Sequence, residues 1–477
     1  MASEEHLTHL RNGTWNQWRE AHPTLAPDLI DASLEGADLR GLNFSKAHLR
    51  GADLRRTRLE GANFTRASLE GAQMEGAALR ECCFDHARLD FLDLSGLDFR
   101  GGHFEATSFR GTQLSSARMS GTVLDRAQLD GAIFDEADLS DSSFIATSFR
   151  GARFTGTLMK NISAASAILD GVEFIGVDLE GADLSKAQAD SAQFRGAQLQ
   201  GASFKEAILR SANFHQADLS HALLDRAQCE GASFSHADLS EASLIGANLN
   251  SADLRHATLL HTKIADCRFD SAQLDEVDFR SPSLGRISFN GAHLKKAVFS
   301  GCQLRAVSFR DARAEDADFR KANLENTDFR RADLTGARFR HANLKKANLE
   351  EVQCSSADLS GTNLILARAS DASFCGTDFR FADAVGINLE SSDLRWADLR
   401  NADFSKASLG SAKLWGARIG KTSLPTAMFH WKIVLSVGSI WQRINRKAEK
   451  KKLQKERKRV QQVAELIRDR EDKRRQR

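Results

Sequence analysis

The 477-residue chain has no tyrosine, only 4 prolines, 5 methionines and 6 tryptophans. No stretch holds eighteen consecutive apolar residues, so no transmembrane helix is expected. The opening MASEEHLTHLRNG is polar and acidic, unlike the basic-then-apolar order of a secretory leader. The seven cysteines are odd in number and lack ligand spacing, which argues against a disulfide scaffold and against a zinc module. These absences predict a cytoplasmic, reducing location. The chain also lacks GxxxxGK[ST], GxSxG and HExxH, which removes the phosphate loop, the nucleophile elbow and the zincin helix.

What is present is a period of five. Taking Leu or Phe as the centre of a block, centres run from Leu34 to Phe429 without one insertion or deletion, and 27 of the 29 phenylalanines fall on a centre. The exceptions are Phe91 and Phe381. Residues 182–259 are the purest run: every block opens with Ala, and all but two centres (Ala189 and Cys229) are Leu or Phe. Five fits neither a helix nor a strand, so it belongs to a repeat in which each unit buries its apolar residues against neighbours. A second period of twenty appears in Phe134, Phe154, Phe174, Phe194, Phe214 and Phe234, and in paired columns starting at Phe269 and Phe279. Twenty is four blocks, which predicts four sides per coil with phenylalanines stacked in ladders.

Blocks such as GADLR, GANFT, GADLS, GANLN and KANLE carry the pattern A-(D/N)-(L/F)-x-x, and in this the chain resembles the pentapeptide-repeat family over most of its length. The resemblance implies an all-β solenoid: a right-handed, four-sided β-helix, here of about twenty coils, with centres and the small residues before them inside. At roughly 4.8 Å per coil the rod would be about 100 Å long. The family implies no single function. Its members that protect DNA gyrase from quinolones are acidic rods resembling a DNA duplex.

Three segments follow. Residues 1–28 are expected to form a helical cap, with Ser3 and Thr14 as N-caps and Trp15 and Trp18 on one face. A first coil exposes a strand edge and an apolar interior, so a cap is the plainer reading, and a recognition helix carrying the two tryptophans is the other. Residues 29–430 are the repeat. Residues 431–477 begin with WKIVLSVGSIWQRI, whose Val434, Val437, Trp441 and Ile444 fit one helical face, expected to cap the last coil. The rest is a charged helix. From Arg443 to Arg477 the net charge is +10, against −8 for the remainder. That basic arm suggests oligomerisation, binding of nucleic acid or anionic membrane, or simple solvation.

Within the repeat, function is sought where the code fails. Phe381, Trp396 and Trp415, with Ile365 and Leu366, are apolar at outward positions and form a candidate partner surface, the nearest occupant being the chain's own tail. Arg320, Arg340, Arg380 and Arg400 share a column and form a candidate phosphate-contacting stripe, set against a mixed solvated wall because acids lie close by. The oversized pairs Leu92/Leu94 and Leu97/Phe99 suggest local bending balanced by small neighbours. Fourteen histidines occupy mainly outward positions, and no cysteine or carboxylate completes a metal set around them. Asp recurs at the second block position because it faces solvent.

The expected function is a non-enzymatic structural or protein-interaction rod, with no catalytic residue, metal or cofactor. Two alternatives stay open: a DNA-mimicking inhibitor or protector of an enzyme such as gyrase, and an anchor held to nucleic acid or membrane through 443–477.

Overall fold

The computed structural model describes residues 2–425 apart from 281, 282 and 285. The expected capping helix at 431–444, the basic arm and the last centre Phe429 lie outside the described residues.

The backbone of a single block explains the sequence code. In Ala62-Asn63-Phe64-Thr65-Arg66, the N–H groups of Phe64 and Arg66 donate to Cys83 O (2.6 Å) and Asp85 O (2.8 Å), one coil ahead. The Asn63 N–H donates to Leu42 O (2.9 Å), one coil back, and the Ala62 N–H closes the preceding turn on Leu59 O (2.8 Å). One donor is left over, the N–H of Thr65, and the Asn63 side chain takes it through Oδ1 (2.8 Å). An unpaired backbone donor is costly, so Asp or Asn at the second position is a local cap as well as a solvent-facing residue. Where that position lacks Asp or Asn, an acid one coil earlier can serve: Asp85 Oδ1 accepts the Glu105 N–H (2.8 Å) and Asp125 Oδ1 accepts the Ile145 N–H (2.9 Å).

Isolated parallel bridges then run from Asp28↔His48 to Asp403↔Ser423, each joining a residue to the one twenty positions on. The ladder therefore starts one block before Leu34, with Leu29 buried and its N–H on His48 O. Centres and the residues two before them fill the interior, and most are fully buried. Phe44, Phe64, Phe84 and Phe104 stack at 5.2, 4.8 and 5.3 Å between ring centroids. The columns that start at Phe269 and Phe279 stack internally and meet each other edge to face.

The oversized coils are compensated as volume conservation requires. Phe99 meets Phe104 edge-on, and a Cβ on Gly102 would lie 2.8 Å from the Phe104 ring. Beside Leu92/Leu94 no bridge joins Gln73 to Asp93 among the described residues, so the bulk is accommodated by parting the wall. Buried Thr107, Thr112 and Thr147 turn their hydroxyls onto Phe84 O, Leu89 O and Leu124 O, which satisfies a polar group inside the core.

Two helices precede the repeat, α1 (Glu4–Arg11) and α2 (Trp15–Ala21). Ser3 and Thr14 stand at the N-cap positions, but neither side chain makes a capping hydrogen bond. Two short parallel strands, β1 (Lys263–Ile264) and β2 (Ser283–Leu284), belong to the same ladder. Among the described residues no helix is long and apolar enough to cross a membrane.

Candidate interaction surfaces

The tryptophans of α2 are spent on the first coil. Trp15 is fully buried, its ring 5.3 Å from Phe44, and its Nε1–H donates to Asn43 O at 2.9 Å. It thus extends the phenylalanine ladder by one rung. Asn16 replaces the missing coil's backbone: its Nδ2 donates to Gly41 O (3.1 Å) and its Oδ1 accepts the Asn43 N–H (2.9 Å). Arg19, nearly inaccessible, ties the connection down through Leu25 O (2.7 Å) and Ser45 O (3.0 Å). Trp18 packs on Trp15 and His6, and Asp28 N–H donates to His6 Nδ1 (3.0 Å). Trp15 and Trp18 are therefore withdrawn as partner-contacting residues, because their rings cover an edge that would otherwise be open.

The arginine column is also largely occupied. Arg320 grips Asp318 with Nη2–Oδ2 at 2.6 Å, Arg380 grips Asp378 at 2.6 Å and Arg400 grips Asp398 at 2.7 Å. In each case the aspartate sits two residues earlier and accepts the arginine's own N–H as well. Only Arg340 of the four has no carboxylate within 4 Å among the described residues. The same Asp-(Leu/Phe)-Arg unit recurs at Asp38–Arg40, Asp53–Arg55, Asp98–Arg100, Asp253–Arg255, Asp278–Arg280, Asp328–Arg330 and Asp393–Arg395. Hydrogen bonding from Arg40 and from Arg55 holds Asp38 and Asp53 down to about 2. At Asp318 burial opposes the charge, and hydrogen bonds from Arg320 outweigh it, so that its value is still lowered. Three of the four arginines of the stripe are thus closed in ion pairs within their own block. The spelling D-L/F-R was visible in the sequence and is the signal that would have shown it.

The C-terminal aromatics do form a surface. Trp396 and Trp415 meet edge to face with centroids 4.4 Å apart, 46% and 50% exposed, and Trp396 N–H donates to Trp415 O (3.1 Å). Phe381 is 65% exposed at the next corner. Trp396 occupies the left-handed last position of its block (φ 64°), and its ring lies over Gly416, where a Cβ would come within 2.5 Å. Glycine there is what lets the indole lie along the rod. Leu366 over Gly386 and Phe91 over Gly111 repeat the arrangement. Exposed apolar residues are not confined to this end: Phe91 is 80% exposed, and Ile145, Leu158, Ile175, Ile245 and Leu260 also face outward. The tryptophan pair is distinguished by being a contact between two large rings.

Histidines and cysteines make up the other groups of chemical interest. His236 stacks on His256 at 4.7 Å and meets His215 edge-on. Among the described residues no group of three or more His, Cys, Asp or Glu is arranged to hold a metal ion. All seven thiols are free. Burial pushes Cys82 and Cys267 up to about 12 and Cys302 to about 11, and raises Cys229 and Cys354 as well. Cys82, Cys267 and Cys302 donate to Leu59 O, Leu244 O and Phe279 O, as threonine does elsewhere.

The block geometry coincides with matches to family models. The model for pentapeptide repeats matches eight stretches: 28–66, 58–90, 87–126, 122–161, 190–226, 222–259, 353–390 and 387–424. A second model, pentapeptide repeat region, matches 283–349. The chain belongs to the pentapeptide-repeat family. Solved members of the family similar to it include HetL, involved in heterocyst differentiation regulation in the cyanobacterium Nostoc sp. strain PCC 7120. That protein is 25% identical over 54% of this chain and 87% of its own, with a TM-score of 0.20. QnrB1, a plasmid-mediated fluoroquinolone resistance protein, is 16% identical over 55% and 94%, with a TM-score of 0.19. A pentapeptide repeat protein of the Arabidopsis thaliana thylakoid lumen is 30% identical over 21% and 63%, with a TM-score of 0.08. No curated protein matches the sequence. The family match indicates a repeat β-helix and no catalytic class.

Proposed function

We propose that this pentapeptide-repeat protein is a non-enzymatic interaction rod, a right-handed four-sided β-helix of about twenty coils whose partner site is the Trp396/Trp415 surface. Four blocks between bridged residues support the four sides. The observation that carries the function is the contrast between an arginine column mostly closed by its own ion pairs and two half-exposed indoles in contact near residue 415. Surface ion pairs already satisfied offer a partner little, whereas clustered aromatics offer area at low entropic cost.

The last described coil is less buried than the first. Leu409, Ala412, Ala417, Ile419 and Leu424 are only partly buried, in contrast to Leu29 and Ala32 beneath the N-terminal cap.

The test uses the full chain and its W396S/W415S variant as baits in the source cell extract, with thermal melts to establish that the rod is intact in both. The reading predicts a partner retained by the parent and lost by the variant, and identical recovery would overturn it. The DNA-mimic alternative is disfavoured by the closed Asp–Arg pairs, and inhibition or protection of purified gyrase by the intact protein would restore it. For the anchor alternative, salt-dependent binding to DNA or to anionic vesicles should disappear on deletion of 445–477 and be indifferent to R320Q/R380Q/R400Q.

A further inference from the structure

The wall beside Leu92 parts over more than one lost bridge. The N–H groups of Gly71, Met74, Gly76 and Leu79 find no backbone acceptor in the coil ahead, and those of Asp93 and Asp98 find none in the coil behind. The steps on either side are complete: Leu54 N–H donates to Gln73 O (2.8 Å), Leu94 N–H to Gln113 O (2.9 Å) and Gln113 N–H to Leu92 O (2.9 Å). Pairing is whole again at both edges, where Leu69 N–H reaches Arg88 O (3.1 Å) and Glu81 N–H reaches Arg100 O (3.1 Å). The seam therefore spans two of the blocks in a coil. Ala78 and Asp98 keep their register while Gln73 and Asp93 lose theirs. Ala72, Ala77 and Leu97 are 7%, 5% and 6% exposed, where most interior residues are sealed. On the other blocks the coils stay closed, and Phe64, Phe84 and Phe104 stack across them at 4.8 and 5.3 Å.

The same blocks part again eighty residues on. The N–H groups of Gly151, Phe154, Gly156, Glu173 and Asp178 lack their coil-to-coil acceptors, although the bridges Arg153↔Glu173 and Leu158↔Asp178 survive. Phe154 and Phe174, facing each other across this step, are inclined by 22°, against 2° for Phe134 on Phe154 and 10° for Phe174 on Phe194. The common cause is steric. Leu92 and Leu97 in one case, and Val172 and Val177 in the other, put branched side chains at two successive positions that are Ala in most blocks, each before a large centre. A single Val352 before the small Cys354 leaves its wall paired, with Gln353 N–H on Ala332 O at 2.9 Å. Excess volume on one side of a coil only acts as a wedge.

We propose that the two seams are joints, at which the rod flexes about its closed side. Hydrogen bonds between coils are what make neighbouring coils move together, and here they are missing over part of the perimeter. Both seams open on the same blocks, so their bends add in one direction. The joints lie far along the chain from the tryptophan surface and do not depend on it.

Spin labels on ketone-bearing residues placed at Arg56 and Glu136 of the full chain, on one corner and spanning the first seam, measure the spread of distances across it. Labels at Asn326 and Lys406 give the same separation along the chain over fully paired coils. The distribution across the seam should be at least about twice as broad as the control, and should narrow to the control width in L92A/L97A. If that variant does not fold, V172A/V177A with labels at Glu136 and Gln216 reads the second seam in the same way. Amide exchange over 71–79 should also be at least about tenfold faster than over 51–59. Equal widths, a broad distribution that survives both pairs of substitutions, or equal exchange would overturn the proposal. Fast exchange with a narrow distribution would mean a fixed gap, and would overturn it too.

Discussion

At the scale of single residues, the repeat is a solution to hydrogen bonding as much as to packing. Asp183 accepts the Ser185 N–H at 3.0 Å, the donor that coil-to-coil pairing leaves out. Asp183→Ala should cost about 0.5–2 kcal/mol, the range of lost helix N-caps, and Asp183→Asn should restore most of it because the amide oxygen accepts the same bond. Denaturant unfolding of both variants measures this. The Asp–Arg units make a second prediction. Asp38 and Asp53 are held near 2 in the folded chain, below the usual carboxylate value of 3.8. A depressed carboxylate stabilises the folded state above its unfolded value and ceases to do so as pH falls through its folded one. Melting temperature should thus be insensitive to these groups down to about pH 4, with their contribution lost between about 4 and 2, and Arg40→Gln should move the Asp38 titration upward. Carbon-13 carboxyl shifts read that directly. The interior phenylalanines carry more: Phe194, stacked on Phe174 and Phe214 at 5.3 and 4.9 Å, should cost about 3–5 kcal/mol when replaced by Ala.

At the scale of elements, the N-terminal helices act as a substitute coil. Trp15 supplies the missing ring and Asn16 the missing backbone partners. Trp15→Ala with Asn16→Ala should expose the first edge, and light scattering should then show concentration-dependent self-association that the parent lacks. How far this was legible varies from residue to residue. The spacing of Phe134, Phe154 and Phe174 announced the stacked ladder, because identical side chains at a fixed interval leave few other packings. The paired tryptophans suggested a cap, but not that Asn16 mimics a strand edge, since nothing in an Asn residue says where its amide points. The Asp column was read as solvent-facing, and its capping role emerged only once the fifth N–H of each block was traced. The four arginines were read as one stripe because columns were compared along the rod, while their partners lay two residues away along the chain.

At the scale of the molecule, the repeat commits most of the chain to building a rod and closes much of its surface charge internally. The proposed site of recognition is a departure from the code, the tryptophan pair. The central claim is that a protein partner meets the tryptophan face and not the charged walls. Site-specific photo-crosslinking tests this most directly, with the crosslinker placed at Lys413, two residues before Trp415, and in parallel at Arg320 on the wall. The account predicts a protein adduct from position 413 and none from 320. An adduct from 320 alone, or from neither position, would contradict it.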